Sequence, residues 1–397
     1  MQLCHRIPYP PSDGGAIAMH QLTRGLLDRG VEVKVLAVAP EHIHADPSAL
    51  PEDYLRETGL EAVGIRTRIR VLPALINLFG SRSYNVERFR SREMEQKLKQ
   101  VLQRERFDIV QLEGLYLTPY IPVIRRYSDA VVVFRAHNIE HFIWERMASA
   151  CRTPGKRQYL GLLARRLKKY ESEVIHAVDG LAAITPVDEA YFRSLGFRGP
   201  TTVIPVGVPE LDLPHPLPDP EPNSVFHLGS MDWRPNQEGI RWFLQSVWPL
   251  VTKEMPELTF YLAGKRMPPS FRQYASRSVV IAGEVPDALE FTLSKSVMVV
   301  PLLSGGGMRV KIVEGMAAAR PIVSTPVGAE GIPCVHGEHL FLADTPVEMA
   351  RCMMQCFRDP DGATRMGERA REFAGHHFQT GRIIGNLIGF YRGFGVG

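Results

Sequence analysis

Long apolar runs are missing from this sequence of 397 residues. Purely apolar strings such as residues 297–300 fall far short of the roughly 20 residues that a membrane-spanning helix needs. Arg6 also places a charge where a secretory signal peptide would have its apolar core. We therefore expect a cytoplasmic protein with no transmembrane anchor, for which peripheral contact with the inner face of the membrane stays open.

Cysteine is scarce, and its odd count argues against a disulfide framework. Two of the cysteines have the i, i+4 spacing of a helix face, but no second Cys or His pair with zinc-ligand spacing accompanies them. The neighbours His376 and His377 are equally unsupported as metal ligands. We expect reduced structural thiols and no metal. The five cysteines are Cys4, Cys151, Cys334, Cys352 and Cys356.

Charge is nearly balanced overall, at +4, but it is unevenly distributed. Residues 66–106 contain eleven basic and four acidic side chains, and residues 151–175 contain seven and two. Such basic stretches are either solvated helix faces or a patch that attracts phosphates, nucleic acid or an anionic membrane. No nucleic-acid-binding module is recognisable, so we expect no nucleic-acid partner. The 45% of apolar residues excludes wholesale disorder.

Short apolar segments alternate with helical periodicity along most of the chain. Strands that are apolar throughout, between helices, indicate a parallel sheet covered on both faces. The pattern therefore predicts an α/β protein with two Rossmann-like, doubly wound parallel-sheet domains. The clearest predicted strands are 31–39, 108–112, 131–134, 181–184 and 202–205 in the first half, and 225–228, 258–263, 278–282, 297–300, 321–325 and 339–342 in the second. Long basic helices are predicted near 86–106 and 156–177.

Seven prolines between residues 205 and 222 mark the domain boundary, because proline cannot donate ladder hydrogen bonds and stiffens an extended backbone. We predict an N-terminal domain over 1–205, a linker over 206–223 and a C-terminal domain over 224–375. A final helix over 376–397 is expected to pack back on the N-terminal domain. Two such domains imply a ligand cleft at the carboxyl ends of both sheets.

The most informative segment is a triglycine loop between a buried strand and a helix. Gly305, Gly306 and Gly307 let backbone N–H groups approach a ligand, and the N-terminus of the following helix favours an anion. Arg309 and Lys311 add positive charge there, and Glu314, at i+3 from Lys311, shares its helix face. This arrangement suits a diphosphate with a ribose diol. A plain strand–helix turn with a surface Lys–Glu pair is the alternative.

Two other nucleotide motifs are absent. No Gly-Lys-Ser/Thr follows the glycines, so the loop is not a Walker A loop. The three consecutive glycines also lack the Gly-x-Gly-x-x-Gly spacing that a nicotinamide-dependent oxidoreductase needs.

The triglycine segment resembles the nucleotide-sugar signature of family 4 glycosyltransferases, retaining enzymes of the GT-B fold, in the variant Gly-x-Gly-x-Arg/Lys-x-Lys-x-x-Glu. The likeness extends over nearly the whole chain, in order and at fitting spacing. The other segments that carry it are residues 7–15, 110–113, 135–140, 203–209, 228–239, 281–285 and 325–331.

The resemblance implies a role for particular residues of this chain. Arg309 and Lys311 would hold the diphosphate of a nucleotide-sugar donor, and Glu314 would bind the ribose hydroxyls. His137 would line the sugar side of the cleft. Backbone groups would contact the rest of the donor, with the nucleobase at Gly283, Glu284 and Val285, the phosphate or sugar at Gly14 and Gly15, and the diphosphate at Gly305, Gly306, Gly307 and Met308. No cofactor or metal is implied, and the acceptor would be a saccharide or a lipid-linked molecule bound on the N-terminal side.

This chain departs from the family's pattern at two places. The first glutamate of the family's Glu-x7-Glu motif falls at Gly306, so the carboxylate that usually contacts the donor sugar is absent. The family's Gly-Arg and Lys-Gly phosphate contacts are also missing, since Ser230 follows Gly229 and Glu238 precedes Gly239.

The expected function is transfer of a sugar, with retention, to an acceptor hydroxyl in the assembly of a cell-surface polysaccharide or glycolipid. The alternatives are a GT-B-like nucleotide-sugar epimerase and a non-catalytic nucleotide-sugar binding protein. Glu113 and Glu140, at or near strand ends, are either acceptor-binding or acid/base groups, or they serve in ion pairing and helix capping. Trp233 and Trp242 are expected to be packing residues.

Overall fold

The chain folds into two compact units, as a computed structural model shows. Unit 1 contains residues Met1–Gly207 and Thr380–Gly397, and unit 2 contains residues Val208–Gln379. The structure describes residues 1–11, 14–40, 50–67, 77, 80, 83–151, 153–208, 213 and 217–396. Residues 209–212 and 214–216 of the segment predicted as a linker, and part of the basic stretch 66–106, therefore lie outside the described residues.

Unit 1 is a seven-stranded parallel sheet with the strand order β3-β2-β1-β4-β5-β6-β7. Its short first strand is the third strand of the sheet, where Gln2 pairs with Val35 on one side and with Gln111 on the other. The order reverses direction between β1 and β4. The strands are β1 (Gln2–Cys4), β2 (Val35–Pro40), β3 (Glu61–Ile65), β4 (Ile109–Glu113), β5 (Val131–Ala136), β6 (Gly180–Ala183) and β7 (Thr201–Val203).

Helices connect these strands, and several begin at a side chain that caps them. The hydroxyl of Ser91 accepts the N–H of Met94, and that of Thr185 accepts the N–H of Asp188. The described helices of unit 1 are α1 (Gly14–Leu27), α2 (Glu52–Thr58), α3 (Tyr84–Glu87), α4 (Arg92–Arg104), α5 (Ile121–Tyr127), α6 (Glu140–Ala150), α7 (Pro154–Val174), α8 (Pro186–Ser194) and α15 (Thr380–Arg392).

Unit 2 is a six-stranded parallel sheet with the strand order β10-β9-β8-β11-β12-β13, which reverses direction between β8 and β11. A π-helical turn at Phe243–Val247 joins its first two helices. The strands are β8 (Glu221–Leu228), β9 (Thr259–Ala263), β10 (Val279–Gly283), β11 (Lys295–Val300), β12 (Ile322–Ser324) and β13 (Phe341–Leu342). The described helices are α9 (Arg234–Trp242), α10 (Trp248–Glu254), α11 (Ala288–Leu293), α12 (Val310–Ala317), α13 (Pro346–Arg358) and α14 (Pro360–Phe378).

Both sheets are covered by apolar side chains on both faces. Along β11, Val297 and Val299 pack in one hydrophobic cluster, and Met298 and Val300 pack in another on the opposite face. Strands β2 and β5 in unit 1 divide their side chains in the same way. Successive residues of a strand point to opposite faces, so continuous apolar strands require helices on both sides. The predicted fold class of two doubly wound parallel-sheet domains is confirmed.

Three predicted boundaries differ from the structure. The strand predicted over 31–39 begins at Val35, because the N–H of Val31 caps helix α1 by donating to Leu26. Residues 221–223, predicted as linker, begin β8, where the N–H of Glu221 donates to Ser294. Residues 376–378, predicted to open the final helix, end α14 of unit 2 instead, and Phe378 packs in the core there.

We predict opposite effects for alanine at two helical glycines of unit 2. A Cβ on Gly239 in α9 would lie 2.3 Å from the carbonyl oxygen of Pro301, a backbone atom that cannot move aside easily. Gly239→Ala should therefore lower the free energy of unfolding by about 1–3 kcal/mol. Gly375→Ala in α14 is the matched control, because its Cβ would meet nothing within 4 Å. Helix propensity should make that variant as stable as the parent or up to about 1 kcal/mol more stable. Urea unfolding measures both, and equal effects would contradict the packing of α9.

Candidate active site

The triglycine loop of unit 2 follows β11, next to the point where the strand order reverses. Gly305 has a φ of 123° and Gly307 a φ of 77°, conformations that L side chains rarely adopt. The loop then enters α12 at Val310. Ligands of doubly wound sheets bind at such a reversal, outside the carboxyl ends of the strands. The loop therefore brings backbone N–H groups and a helix N-terminus to the expected ligand position.

Arg309 braces this loop from inside. Its side chain is buried, and its Nη1 donates to the carbonyl oxygens of Gly306 and Gly307, the latter at 2.7 Å. The guanidinium carbon lies 5.1 Å from the centre of the Trp233 ring. Trp233 is 37% exposed and packs on Arg309, and Trp242, the other expected packing residue, packs against the core of unit 2. The diphosphate contact predicted for Arg309 stays a prediction, and the structure assigns this residue a second task, holding the loop.

Lys311 is held by two polar side chains that sequence reasoning did not identify. Its Nζ lies 3.0 Å from Oδ1 of Asn236 and 3.3 Å from Nε2 of His227. Nδ2 of Asn236 donates to the carbonyl of Ser230, which sets the orientation of the amide. Nδ1 of His227 lies 2.8 Å from the carbonyl oxygen of Val299 and must donate to it, so Nε2 keeps its lone pair for Lys311. These bonds use two of the three N–H groups of the ammonium.

The surroundings of Lys311 disfavour positive charge. Burial and the nearby Arg309 lower the pKa of Lys311 to about 7, although Glu314 opposes them. Burial and the Lys311 charge also lower the pKa of His227 well below its usual value, which keeps the imidazole neutral. A bound anion would favour the ammonium form, so the pocket is prepared for a negatively charged ligand.

Gly229 makes room for Lys311, and Gly264, at the neighbouring strand end, makes room for the carbonyl group of Gly229. A Cβ on Gly229 would lie 2.2 Å from Nζ of Lys311, and a Cβ on Gly264 would lie 1.7 Å from the carbonyl oxygen of Gly229. The N–H of Gly264 in turn donates to Gly283 at 2.7 Å. Any side chain at Gly229 or Gly264 would displace the lysine or separate the strand ends.

The remaining predicted donor residues of unit 2 lie around this centre. Glu314 lies one turn beyond Lys311. Desolvation of its carboxyl raises the pKa of Glu314, and the Lys311 charge opposes this shift. Gly283, with a φ of 70°, ends β10, followed by the exposed Glu284 and the half-buried Val285. Their contacts with a ribose and a nucleobase stay predictions. Met308 is half-buried and packs against the core between the glycines and Arg309.

His137 in unit 1 is bound to a buried ion pair. Its Nε2 lies 2.6 Å from Oε2 of Glu113, which also accepts Nη1 of Arg135 at 3.0 Å. Glu113 and Arg135 are both fully buried. Nδ1 of His5 donates to the carbonyl oxygen of Glu113 at 2.7 Å. The ion-pairing alternative for Glu113 is thus the one that the structure shows, and the carboxylate positions His137 rather than standing open to a ligand.

Two more polar side chains extend this network, one of them in direct contact with Glu113. Nε2 of Gln111 donates to Oε1 of Glu113 at 2.6 Å, and Tyr391 of α15 donates to Oε1 of Gln111. Burial opposes ionisation of Glu113, but the Arg135 charge and the hydrogen bonds from His137 and Gln111 prevail and lower its pKa to about 2. The pKa of His137 is lowered mainly by burial, against the attraction of Glu113.

A cavity of about 370 Å³ lies beside His137. Gly15, in the first turn of α1, lines it, and Gly14 begins that helix. Glu140 lines it from the start of α6 and accepts the hydroxyl of Tyr116 at 2.6 Å. The backbone contacts predicted for Gly14 and Gly15 with a phosphate or sugar stay predictions.

Within the described residues, no group of three or more His, Cys, Asp or Glu side chains is arranged to hold a metal ion. Asp359 and Asp361 have the Asp-x-Asp spacing of many metal-dependent transferases, but Asp359 caps α14 by accepting the N–H of Gly362. In the same part of the chain, no helix is long and apolar enough to cross a membrane.

The buried ion pair predicts a large difference between two glutamate variants. Glu113→Gln leaves the Arg135 guanidinium buried without its carboxylate, which should lower the free energy of unfolding by about 3–5 kcal/mol. Glu95→Gln, which removes the surface pair with Arg90, is the control and should cost less than about 1 kcal/mol. Denaturant unfolding at pH 7 measures both.

The pH dependence follows from the lowered pKa of Glu113. Its stabilisation is complete above the ordinary value of 4.5 and is lost as the pH falls toward about 2. The stability difference between wild type and Glu113→Gln should therefore shrink over that range. A constant difference would contradict the ion pair.

Comparison with known proteins agrees with this architecture. The model of Glycosyltransferase Family 4 matches residues 12–210, and that of Glycosyl transferases group 1 matches residues 222–359. An uncharacterised 44.6 kDa protein in the cps region of Klebsiella pneumoniae is 22% identical over 401 residues, covering 96% of each chain.

Solved structures of similar fold cover both units. Sucrose-phosphate synthase from Thermosynechococcus elongatus is 16% identical with a TM-score of 0.71, covering 99% of this chain and 98% of its own. HepE from Anabaena, solved in complex with UDP and glucose, is 14% identical with a TM-score of 0.62, covering 98% of each chain. The fold is GT-B, and the chain is a glycosyltransferase that belongs to family 4.

Proposed function

We propose that this glycosyltransferase moves a sugar from a nucleotide diphosphate sugar to an acceptor hydroxyl, with retention at the anomeric carbon. The observation that carries the proposal is the setting of Lys311. Its ammonium lies in the first turn of α12, beside the triglycine loop, and two of its three N–H groups are held by Asn236 and His227. A diphosphate would take the third and the N-terminal charge of the helix.

The other donor contacts are assigned on the family's pattern. Glu314 would accept the ribose hydroxyls, and the backbone at residues 283–285 would meet the nucleobase. Arg309 would add charge near the diphosphate while it holds the carbonyl groups of the loop inward. In unit 1, the backbone at Gly14 and Gly15 would approach the phosphate or the donor sugar, and His137 would line the sugar side of the cleft.

The proposed mechanism needs no dedicated protein base. The bond from the anomeric carbon to the leaving phosphate oxygen breaks, and the acceptor oxygen bonds to the same face. A leaving phosphate oxygen takes the acceptor proton. Negative charge grows on the diphosphate as the bond breaks, so fixed donors at Lys311 and the α12 N-terminus stabilise the transition state more than the ground state.

The comparisons support particular substrates. HepE was solved with UDP and glucose, so UDP-linked sugars are the first donors to test. The Klebsiella relative lies in a cps region, which supports a role in cell-surface polysaccharide or glycolipid assembly. Gly306 lacks the usual sugar-contacting carboxylate, which favours a non-catalytic nucleotide-sugar binding protein as the second candidate. An epimerase is the third, and net epimerisation without any acceptor would identify it.

Lys311→Ala should weaken donor binding about 10- to 100-fold, the worth of one charge-assisted hydrogen bond. Turnover of the donor, measured as nucleotide release, should fall about 100- to 1,000-fold. A thermal-shift panel of nucleotide sugars identifies the donor, and calorimetry gives the affinities. Lys265→Ala, at an exposed lysine after β9, is the matched control and should change neither.

Gly229→Ala sharpens this test. The new Cβ would lie 2.2 Å from Nζ, the far end of the flexible Lys311 side chain. The protein should therefore fold, with the ammonium displaced and donor binding weakened. Unchanged affinity and turnover in both Lys311→Ala and Gly229→Ala would rule out the proposed donor site. Binding without turnover in the wild type, across acceptor classes, would favour the non-catalytic candidate.

The pKa of Lys311 adds a pH signature to the donor site. Donor binding should weaken as the pH rises above about 7, because the empty site then loses the ammonium charge. In Lys311→Arg the guanidinium stays charged, so the dependence between pH 7 and pH 9 should flatten. Equal slopes for the wild type and this variant would show that another group titrates.

We also propose that α7 contacts an anionic membrane that carries the acceptor. Lys156, Arg157, Arg165, Lys168 and Lys169 are exposed on this helix. On α4, Glu61 and Glu105 bind two basic side chains, Lys97 and Arg104, whereas on α7 the pair of Lys169 with Glu173 is exposed.

The protein should sediment together with vesicles that contain phosphatidylglycerol at low salt and stay in the supernatant at high salt, because the attraction is electrostatic. Neutral phosphatidylcholine vesicles are the control. Equal sedimentation with both vesicle types, or none with either, would disprove membrane contact through α7.

A further inference from the structure

The cavity of unit 1 lies where ligands of doubly wound sheets bind. It has a volume of about 370 Å³, within the range of about 300–1,000 Å³ typical of small-ligand pockets. His5 follows β1, Gly114 follows β4 and Asn138 follows β5, and all three line the cavity. The strand order reverses between β1 and β4, so the cavity opens at the switch point of this sheet.

One wall of the cavity is aromatic. The rings of Phe89 and Tyr116 stack with centroids 4.6 Å apart and an interplanar angle of 15°. The phenol of Tyr116 donates to Oε2 of Glu140 at 2.6 Å, which places a carboxyl group at the edge of this wall. An apolar face next to a hydrogen-bond acceptor suits a sugar, whose C–H groups pack on rings while its hydroxyls donate.

Among the described residues that line the cavity, two arginines face one glutamate. Arg88 lies against the aromatic wall, with its guanidinium carbon 5.2 Å from the centre of the Phe89 ring and 6.0 Å from that of the Tyr116 ring. Arg6 lines the cavity beside His5, to which its Nε donates. Burial raises the pKa of Glu140 to about 7, against the hydrogen bond from Tyr116. Two permanent cations therefore face one carboxyl that is partly protonated at neutral pH.

We propose that this cavity binds the acceptor and selects one that carries an acidic group, a carboxylate or a phosphate, near the attacking hydroxyl. Arg6 and Arg88 bind the acidic group, because a guanidinium fork matches the oxygens of both anions. Glu140 accepts a hydrogen bond from a sugar hydroxyl. The inference rests on the proposed transferase function and adds the chemical class of the second substrate.

Three simple probes test the proposal on the full chain. Calorimetry should show that methyl glucuronide, glucose 1-phosphate or both bind at least about tenfold more tightly than the neutral methyl glucoside, as one charge-assisted contact requires. The stronger of the two anions tells whether the acidic group is a carboxylate or a phosphate. Equal binding of all three probes, or no binding, would overturn the proposal.

Variants locate the preference in the cavity. Arg88→Met should reduce the preference for anionic probes about tenfold, while Arg90→Met should leave it unchanged. Arg90 is the matched control, two residues away, exposed and paired with Glu95. Should Arg88→Met fail to fold, Arg6→Gln removes the other cation of the cavity, which follows β1. A preference retained in the folded variant would show that the cavity is not its source.

The pH dependence gives a readout that a structural role would not move. The titratable and charged groups that line the cavity are His5, Arg6, Arg88, Tyr116, His137 and Glu140. Behind them, Glu171 of α7 accepts the N–H of Glu140 at 3.1 Å, and its charge adds to burial in raising the pKa of Glu140. Burial lowers the pKa of both histidines and raises that of Tyr116, so Glu140 is the group that changes charge near pH 7.

Protonation of Glu140 removes the competing negative charge, so methyl glucuronide should bind more tightly at pH 6 than at pH 8. Glu140→Gln should abolish the difference, and a difference that persists in this variant would contradict the assignment.

The donor panel separates the two proposals. Anion preference without nucleotide-sugar binding would support the anion site in the cavity and contradict the transferase mechanism. Donor binding without anion preference would support the transferase mechanism and contradict the anion site.

Discussion

The close approach of Lys311 to the backbone at Gly229 is the contact on which the candidate donor site depends. No Cβ atom fits at Gly229 beside the Lys311 ammonium. At the next strand end, no Cβ atom fits at Gly264 beside the carbonyl oxygen of Gly229. The lysine can therefore lie over the end of β8 rather than extend into water. Its partners His227 and Asn236 then hold the ammonium, and its low pKa follows from that enclosure.

The two units use the same device to keep a histidine neutral. In unit 2, Nδ1 of His227 donates to a backbone carbonyl, and Nε2 receives the lysine. In unit 1, Nδ1 of His5 donates to the carbonyl of Glu113, and Nε2 receives Arg6. A carbonyl can only accept, so it determines the tautomer. Burial, and then the neighbouring cation, lowers the pKa of each histidine and opposes protonation. Both rings stand at a strand-order reversal as hydrogen-bond relays without charge.

Gly306 and Arg309 together change the charge and the hydrogen bonds of the triglycine loop. The family's first glutamate is absent at Gly306, and Arg309 is hydrogen-bonded to the carbonyls of Gly306 and Gly307 and lies against Trp233. The loop therefore has a backbone hydrogen-bonded by Arg309 at the position where that carboxylate is absent. Recognition of the donor sugar would then depend on loop amides, which is consistent with a backbone held by buried contacts.

The sequence by itself determined the fold class, because strands that need apolar side chains on both faces alternate with helices, and it located the triglycine loop and Lys311. It missed β3, an edge strand whose Glu61 is bound by Lys34 and Lys97, since an edge strand needs little apolar patterning. Only the tertiary structure decided the partners of the functional side chains. His227 lies 84 residues from Lys311, and their contact arises because β8 and β11 are neighbours in the sheet, a pairing that no local pattern encodes.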